Sequence, residues 1–138
     1  MTTKRRFNFL PFEESSKRLG LSPKATITKY GNINLNRKFM DEYWPVIKGR
    51  QIVFHYDPDN RVIGLQVVAK PTPSSYPVRD LGGGRGLVVT ARAFLKHSDI
   101  PYAKSTSYDI KLYDTRDSLP FFYIDLKQMA SLWKGGRL

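Results

Sequence analysis

The chain of 138 residues has no cysteine, which excludes disulfide staples and thiolate metal sites and is compatible with a reducing interior. It also lacks long apolar runs. No stretch approaches the roughly 20 consecutive apolar residues that a membrane span needs. The opening MTTKRRFNFLPFEESS carries cations, but Asn8, Pro11 and two glutamates break its apolar run, which does not fit a signal peptide. Histidine is scarce. His55 lies in an alternating stretch with no carboxylate at ligand spacing, and reads as a sheet residue. His97 sits in FLKHSD beside Ser98 and Asp99, where sequence adjacency argues against a triad that needs spatial convergence. Acids are few and fall singly or in turns (Asp57, Asp59, Asp114, Asp117), where local backbone bonding explains them better than metal binding or acid–base work. The run GGGRG at 82–86 lacks the Gly-Lys-Ser/Thr ending of a phosphate loop. The expectation is a non-enzymatic protein with no cofactor and no metal.

What is present in excess is positive charge. Lys and Arg total 23 against 12 acids, a net of +11. Residues 1–24 hold six cations and two acids, and residues 127–138 hold three cations and no acid, so the termini carry seven of the eleven. A nearly balanced middle between basic ends points to a polyanionic partner, most often nucleic acid. An apolar fraction of 41% is enough for a globular core at this length.

Along the chain, residues 1–24 read as a basic arm in which FEESSKRLGL makes one or two helical turns. ATITKY and INL alternate as strands around a turn at Gly31, and RKFMDEYW has helical spacing ended by Pro45. RQIVFHY and VIGLQVVA form a hairpin across DPDN, whose proline presets a turn angle. KPTPSSYPVRDLGGGRG, with its prolines and glycines, reads as a connector. Then the order returns: GLVVTARAFLKH as strand into helix, SYDIKLYD as strand, TRDS as turn, LPFFYIDL as strand. KQMASLW reads as a closing helix.

The two halves align. A shift of 55 places Gly86 on Gly31, Val88 on Ile33, Arg92 on Arg37, Phe94 on Phe39 and Leu95 on Met40; a shift of 57 then places Tyr113 on Tyr56, Asp114 on Asp57 and Ile124 on Val67. A unit of about 45 residues buries too little to be stable alone, so two copies must share a core. The expected organisation is an N-terminal arm (1–24), unit 1 (25–70), a connector (71–85), unit 2 (86–127) and a basic tail (128–138).

GNINLNRKF and KGRQIVFHYDPDNRVIGLQVV resemble the AbrB-like swapped-hairpin family, in its tandem, MraZ-like form. Asn32, Asn36 and Arg50 depart from that family's usual arginine, proline and turn acid, and Arg85 and Ala91 depart from it in the second copy. The resemblance implies a mainly β fold with short helices. Its two tandem units would interleave as a pseudo-symmetric swapped-hairpin or double-psi-like barrel. Phe39 and Met40 would plug that barrel. Such proteins bind duplex DNA, as transcriptional regulators or nucleoid-associated factors in the cytoplasm, and a homo-oligomer is compatible.

The binding candidates are Arg37 with Lys38 and Arg92 with Lys96, long cations near glycine turns that reach phosphates or read guanine. Asn32, Asn34 and Asn36 suit adenine edges or phosphates, although asparagine beside glycine is more simply turn chemistry. Lys29, Arg50 and Arg85 flank turns. Lys4, Arg5 and Arg6 suit a salt-dependent arm. Two other classes stay open: a single-stranded DNA or RNA binder that stacks bases on aromatics such as those of PFFYIDL, and a protein–protein adaptor of antitoxin or phage type.

Overall fold

The computed structural model describes residues 22–129. The arm cations Lys4, Arg5 and Arg6 and most of the basic tail lie outside them.

Nine strands and two helices follow one another as β1 (Lys24–Ile27), β2 (Asn32–Leu35), α1 (Arg37–Ile47), β3 (Gln51–Asp57), β4 (Val62–Val68), β5 (Ser75–Pro77), β6 (Arg79–Asp80), β7 (Leu87–Thr90), α2 (Arg92–His97), β8 (Thr106–Arg116) and β9 (Leu119–Met129). All strand pairs are antiparallel, in the order β5-β3-β4-β9-β8-β1-β2-β7-β6. The two ends of this sheet, β5 and β6, are separated in the chain only by Val78, so the sheet is nearly closed and barrel-like. Around it, hairpins from the two halves of the chain alternate: β3–β4, then β9–β8, then β1–β2, then β7 with β6.

Alternation in sequence becomes alternation in burial because successive strand side chains face opposite ways. Ile33 and Leu35 of β2, Ile63, Leu65 and Val67 of β4, Leu87 and Val89 of β7, and Phe122 and Ile124 of β9 fill the interior. Burying each such side chain contributes about 1.5–3 kcal/mol before the entropy of ordering is subtracted. Both helices add to this core. Phe39 and Ile47 of α1 and Leu95 of α2 are fully buried, and Met40 packs against them at the margin. Phe39, Tyr43 and Phe122 form a three-ring cluster with centroids 4.7–5.0 Å apart. Burial raises the Tyr43 phenol above its ordinary value, and the Glu42 carboxylate adds to the shift.

Two local devices set the hairpins. At 57–60, Asp57 Oδ1 accepts the backbone N–H groups of Asp59 (3.1 Å) and Asn60 (3.2 Å), and Oδ2 accepts the Asn60 amide at 2.8 Å. Between β8 and β9, Asp117 and Ser118 both have positive φ (53° and 66°), the twist a two-residue hairpin loop requires.

Four sequence expectations are corrected. The helix does not stop at Pro45: α1 runs to Ile47, whose complete burial holds the last turn in place, while a proline so near the C-terminus forfeits only one intrahelical bond. The Pro/Gly segment contains β5 and β6, which pair with β3 and β7. Lys127–Met129, the start of the expected closing helix, continues β9; the rest of that segment lies outside the described residues. The fourth concerns facing. A shift of 55 matches the first residues of β2 and β7 and of α1 and α2. Yet Ile33 faces inward opposite Val89, whereas Val88, although also buried, stands opposite Asn34 on the other face of the sheet. Likewise Leu95, not Phe94, is fully buried as Phe39 is. Tyr56 packs against the core, while Tyr113 is the extra residue of a β-bulge between Leu112 and Asp114 and is exposed. A one-residue offset reverses every side chain.

Candidate nucleic-acid interface

The antiparallel pair β2–β7 sets the geometry. Each strand runs directly into a helix, and because the strands are antiparallel each helix start lies beside the glycine turn that opens the other strand. Two strand–helix junctions result, one at each end of the pair.

At the first, β7 leads into α2 beside the β1–β2 turn. The Ala91 N–H donates to the Gly31 carbonyl at 2.9 Å. Gly31 has φ +85°, and a Cβ there would lie 2.9 Å from Arg92 Cβ, so only glycine admits the helix this close. Arg92 Nη2 donates to the Tyr30 carbonyl at 2.8 Å, which fixes the guanidinium over the turn. Lys96, one helical turn on, and Lys29, from the turn itself, line one open hollow of about 560 Å³ with Tyr102 and Asp99. Lys29 Nζ also sits 5.4 Å from the exposed Tyr30 ring. Helix α2, RAFLKH, contains no acid. Among the described residues, no carboxylate forms an ion pair with Lys29, Arg92 or Lys96.

At the second, β2 leads into α1 beside residues 82–86. Gly86, φ +112°, lies so close to β2 that a Cβ would stand 2.2 Å from the Leu35 carbonyl oxygen. Asn36 caps α1: its Oδ1 accepts from Phe39 N–H at 3.0 Å and from Lys24 N–H at 3.1 Å, and its Nδ2 donates to the Ser22 carbonyl at 2.9 Å. The Arg37 guanidinium passes over Gly84, 3.6 Å from where a Cβ would be. Here the cations have partners. Arg37 reaches Asp41 at 3.8 Å, and Lys38 reaches Glu42 at 3.3 Å, both one helical turn away. Arg85 folds back on its own loop, donating to the carbonyls of Gly82 (3.1 Å) and Leu81 (2.5 Å).

The predicted residues therefore separate. Lys29, Arg92 and Lys96 converge at one junction, and Arg37, Lys38 and Arg85 gather at the other. Asn32 and Asn34 stand on β2 between them, half-buried on the outer face, and Asn34 Oδ1 is buried with no hydrogen-bond partner among the described residues. Arg50 is not part of either cluster: it closes the C-terminus of α1, donating to the Val46 carbonyl at 2.5 Å. The neutralised state of the α1 cations was visible in RKFMDE, where Asp and Glu follow Arg and Lys at four-residue spacing. Tyr102 gave no such signal, because it reaches the hollow from a loop.

Among the described residues no group of three His, Asp or Glu side chains is placed to hold a metal ion, and no helix is long and apolar enough to cross a membrane. No protein-family model, curated protein or solved structure matches the chain.

Proposed function

We propose that this is a non-enzymatic, basic DNA-binding protein, acting in transcriptional regulation or nucleoid organisation in the cytoplasm. In this reading two tandem AbrB-like units, residues 25–70 and 86–127, exchange hairpins within one chain. The alternation of hairpins around the sheet supports that arrangement. The antiparallel pairing of β2 with β7 and of β4 with β9 does so as well.

The single observation that carries the functional reading is the α2 junction. Two cations of α2 meet a third from the β1–β2 turn on a backbone held by glycine contact and hydrogen bonds. Asp99 lines the same hollow, but among the described residues no carboxylate is ion-paired with any of the three. Such a surface engages phosphates, with Arg92 held in place and Lys29 and Lys96 free to adapt. The α1 junction is the weaker partner in this reading, since its cations must leave Asp41 and Glu42 before binding.

The test is binding of the full chain to random duplex DNA, followed by anisotropy across a salt series. With six or more phosphates neutralised, affinity falls about a thousandfold or more between 50 and 200 mM salt. A flat salt response, or unchanged binding after R92A together with K96A, overturns the proposal.

A further inference from the structure

The outer face of the β3-β4-β9-β8 region carries a feature that the duplex reading does not use. Across it, the strand registers place His55 opposite Gly64, Gly64 opposite Tyr123 and Tyr123 opposite Lys111. Gly64 leaves room for a ring: a Cβ there would lie 2.8 Å from Phe121 Cε1. Phe121 lies over the glycine, stacked on His55 at 5.4 Å between centroids with an interplanar angle of 30°. The Arg116 guanidinium also lies over the Phe121 ring, 4.3 Å from its centre. His55 is held in turn by Gln66, with Nε2 and Oε1 2.8 Å apart. The β-bulge before Asp114 brings Tyr113 to this face, where it meets Phe121 at 5.8 Å and Tyr123 edge-on at 6.0 Å.

These rings wall a hollow of about 440 Å³, floored by Val62 and Gly64 and rimmed by Asp57 and Asn60. Its size and aromatic lining are those of a small-molecule site. Of the residues lining it, only Asp57 is an acid and none is a lysine or arginine, so the hollow itself does not suit a phosphate. The Asn60 side-chain amide, then the Asn60 backbone N–H, hold the Asp57 carboxyl below its ordinary value, so the rim stays a hydrogen-bond acceptor at neutral pH. Oδ2 receives only the Asn60 amide among the described residues and has a lone pair left. Cations stand just outside: Lys111 opposite Tyr123, and Lys127, whose ammonium donates to the Asn60 carbonyl and is paired with Asp125 at 2.9 Å.

We infer that this hollow takes an unpaired nucleobase bearing an exocyclic amino group on its edge, stacked against Tyr123, Tyr113 and His55. Asp57 accepts from the edge, and the attached phosphate lies toward Lys111. Aromatic walls with an acceptor at the rim bind a ring through stacking and its Watson–Crick edge. The site is distinct from the α2 junction and does not depend on it, so a protein that binds duplex through Arg92 and Lys96 would hold a displaced strand here.

The test uses nucleoside monophosphates and short single strands of one base, titrated into the full chain and followed by the NMR signals of His55, Tyr113 and Tyr123. Those signals should move selectively with bases that carry an exocyclic amino group. Y123L should weaken single-strand binding about tenfold, Y123F should retain it, and duplex affinity should be the same in both. The inference is overturned if no nucleotide moves these signals, if Y123L binds single strands as the wild type does, or if an arginine- or lysine-containing peptide alone occupies the hollow. R92A with K96A separates the two sites: it weakens duplex binding about tenfold or more and leaves the Tyr123 response in place.

Discussion

The two strand–helix junctions are built to one plan and differ in charge. Each sets a helix start against a glycine turn from the other half of the chain, and each has an arginine first in its helix. At α1 that arginine and the next lysine are followed one turn later by Asp41 and Glu42; at α2 the equivalent turn carries Lys96 and His97 and no acid. Exposed pairs of this kind stabilise a helix by only a few tenths of a kcal/mol, yet they hold the charge that a phosphate would otherwise meet. The capping differs too. Asn36 closes α1 with three hydrogen bonds, whereas Ala91 caps α2 with no side-chain bond and relies on the Gly31 carbonyl contact. One junction is arranged for stability and the other leaves its cations available.

The largest test of this contrast is at glycine. G86A places a methyl group against the Leu35 carbonyl in a conformation that L residues avoid, and should cost about 3 kcal/mol or more, read as a drop in denaturant midpoint. G82A has positive φ but open space around it, and should cost only about 1 kcal/mol. Equal losses would mean that close approach at Gly86 does not hold the junction. Next comes affinity for duplex DNA. R92A with K96A should lower it about tenfold or more and reduce the salt slope by about two, while R37A with K38A should do less than half of this. Equal effects would remove the asymmetry between the ends. The smallest effect on binding is expected of N36A, which should leave DNA affinity at its wild-type value while the lost cap and its neighbours cost about 1–2 kcal/mol of stability. A loss of affinity there would show that Asn36 contacts the ligand.

Much of this was legible in the residues themselves. GNINLNRKFM carries both the period-two burial of Ile33 and Leu35 and the turn into a helix that buries Phe39. DPDN and TRDS mark the hairpin turns, because Asp57 can bond its own backbone and the loop Asp117–Ser118 tolerates positive φ. The ends of the halves were less clear, since short apolar stretches give no sign of which neighbour will pair with them. SYPVRD looked like linker for that reason: only β3 and β7, from either side, make it two strands.

Sequence alone determined the local periods, the glycine turns and the excess of cations, because these depend on residues a few positions apart. The tertiary structure decided which face each alternating side chain takes, which cations meet, and that Phe121 lies over Gly64 beside His55. Those outcomes depend on strand register, in which a slip of one residue reverses the face. Register is chosen by the packing of the whole barrel and not by any single strand.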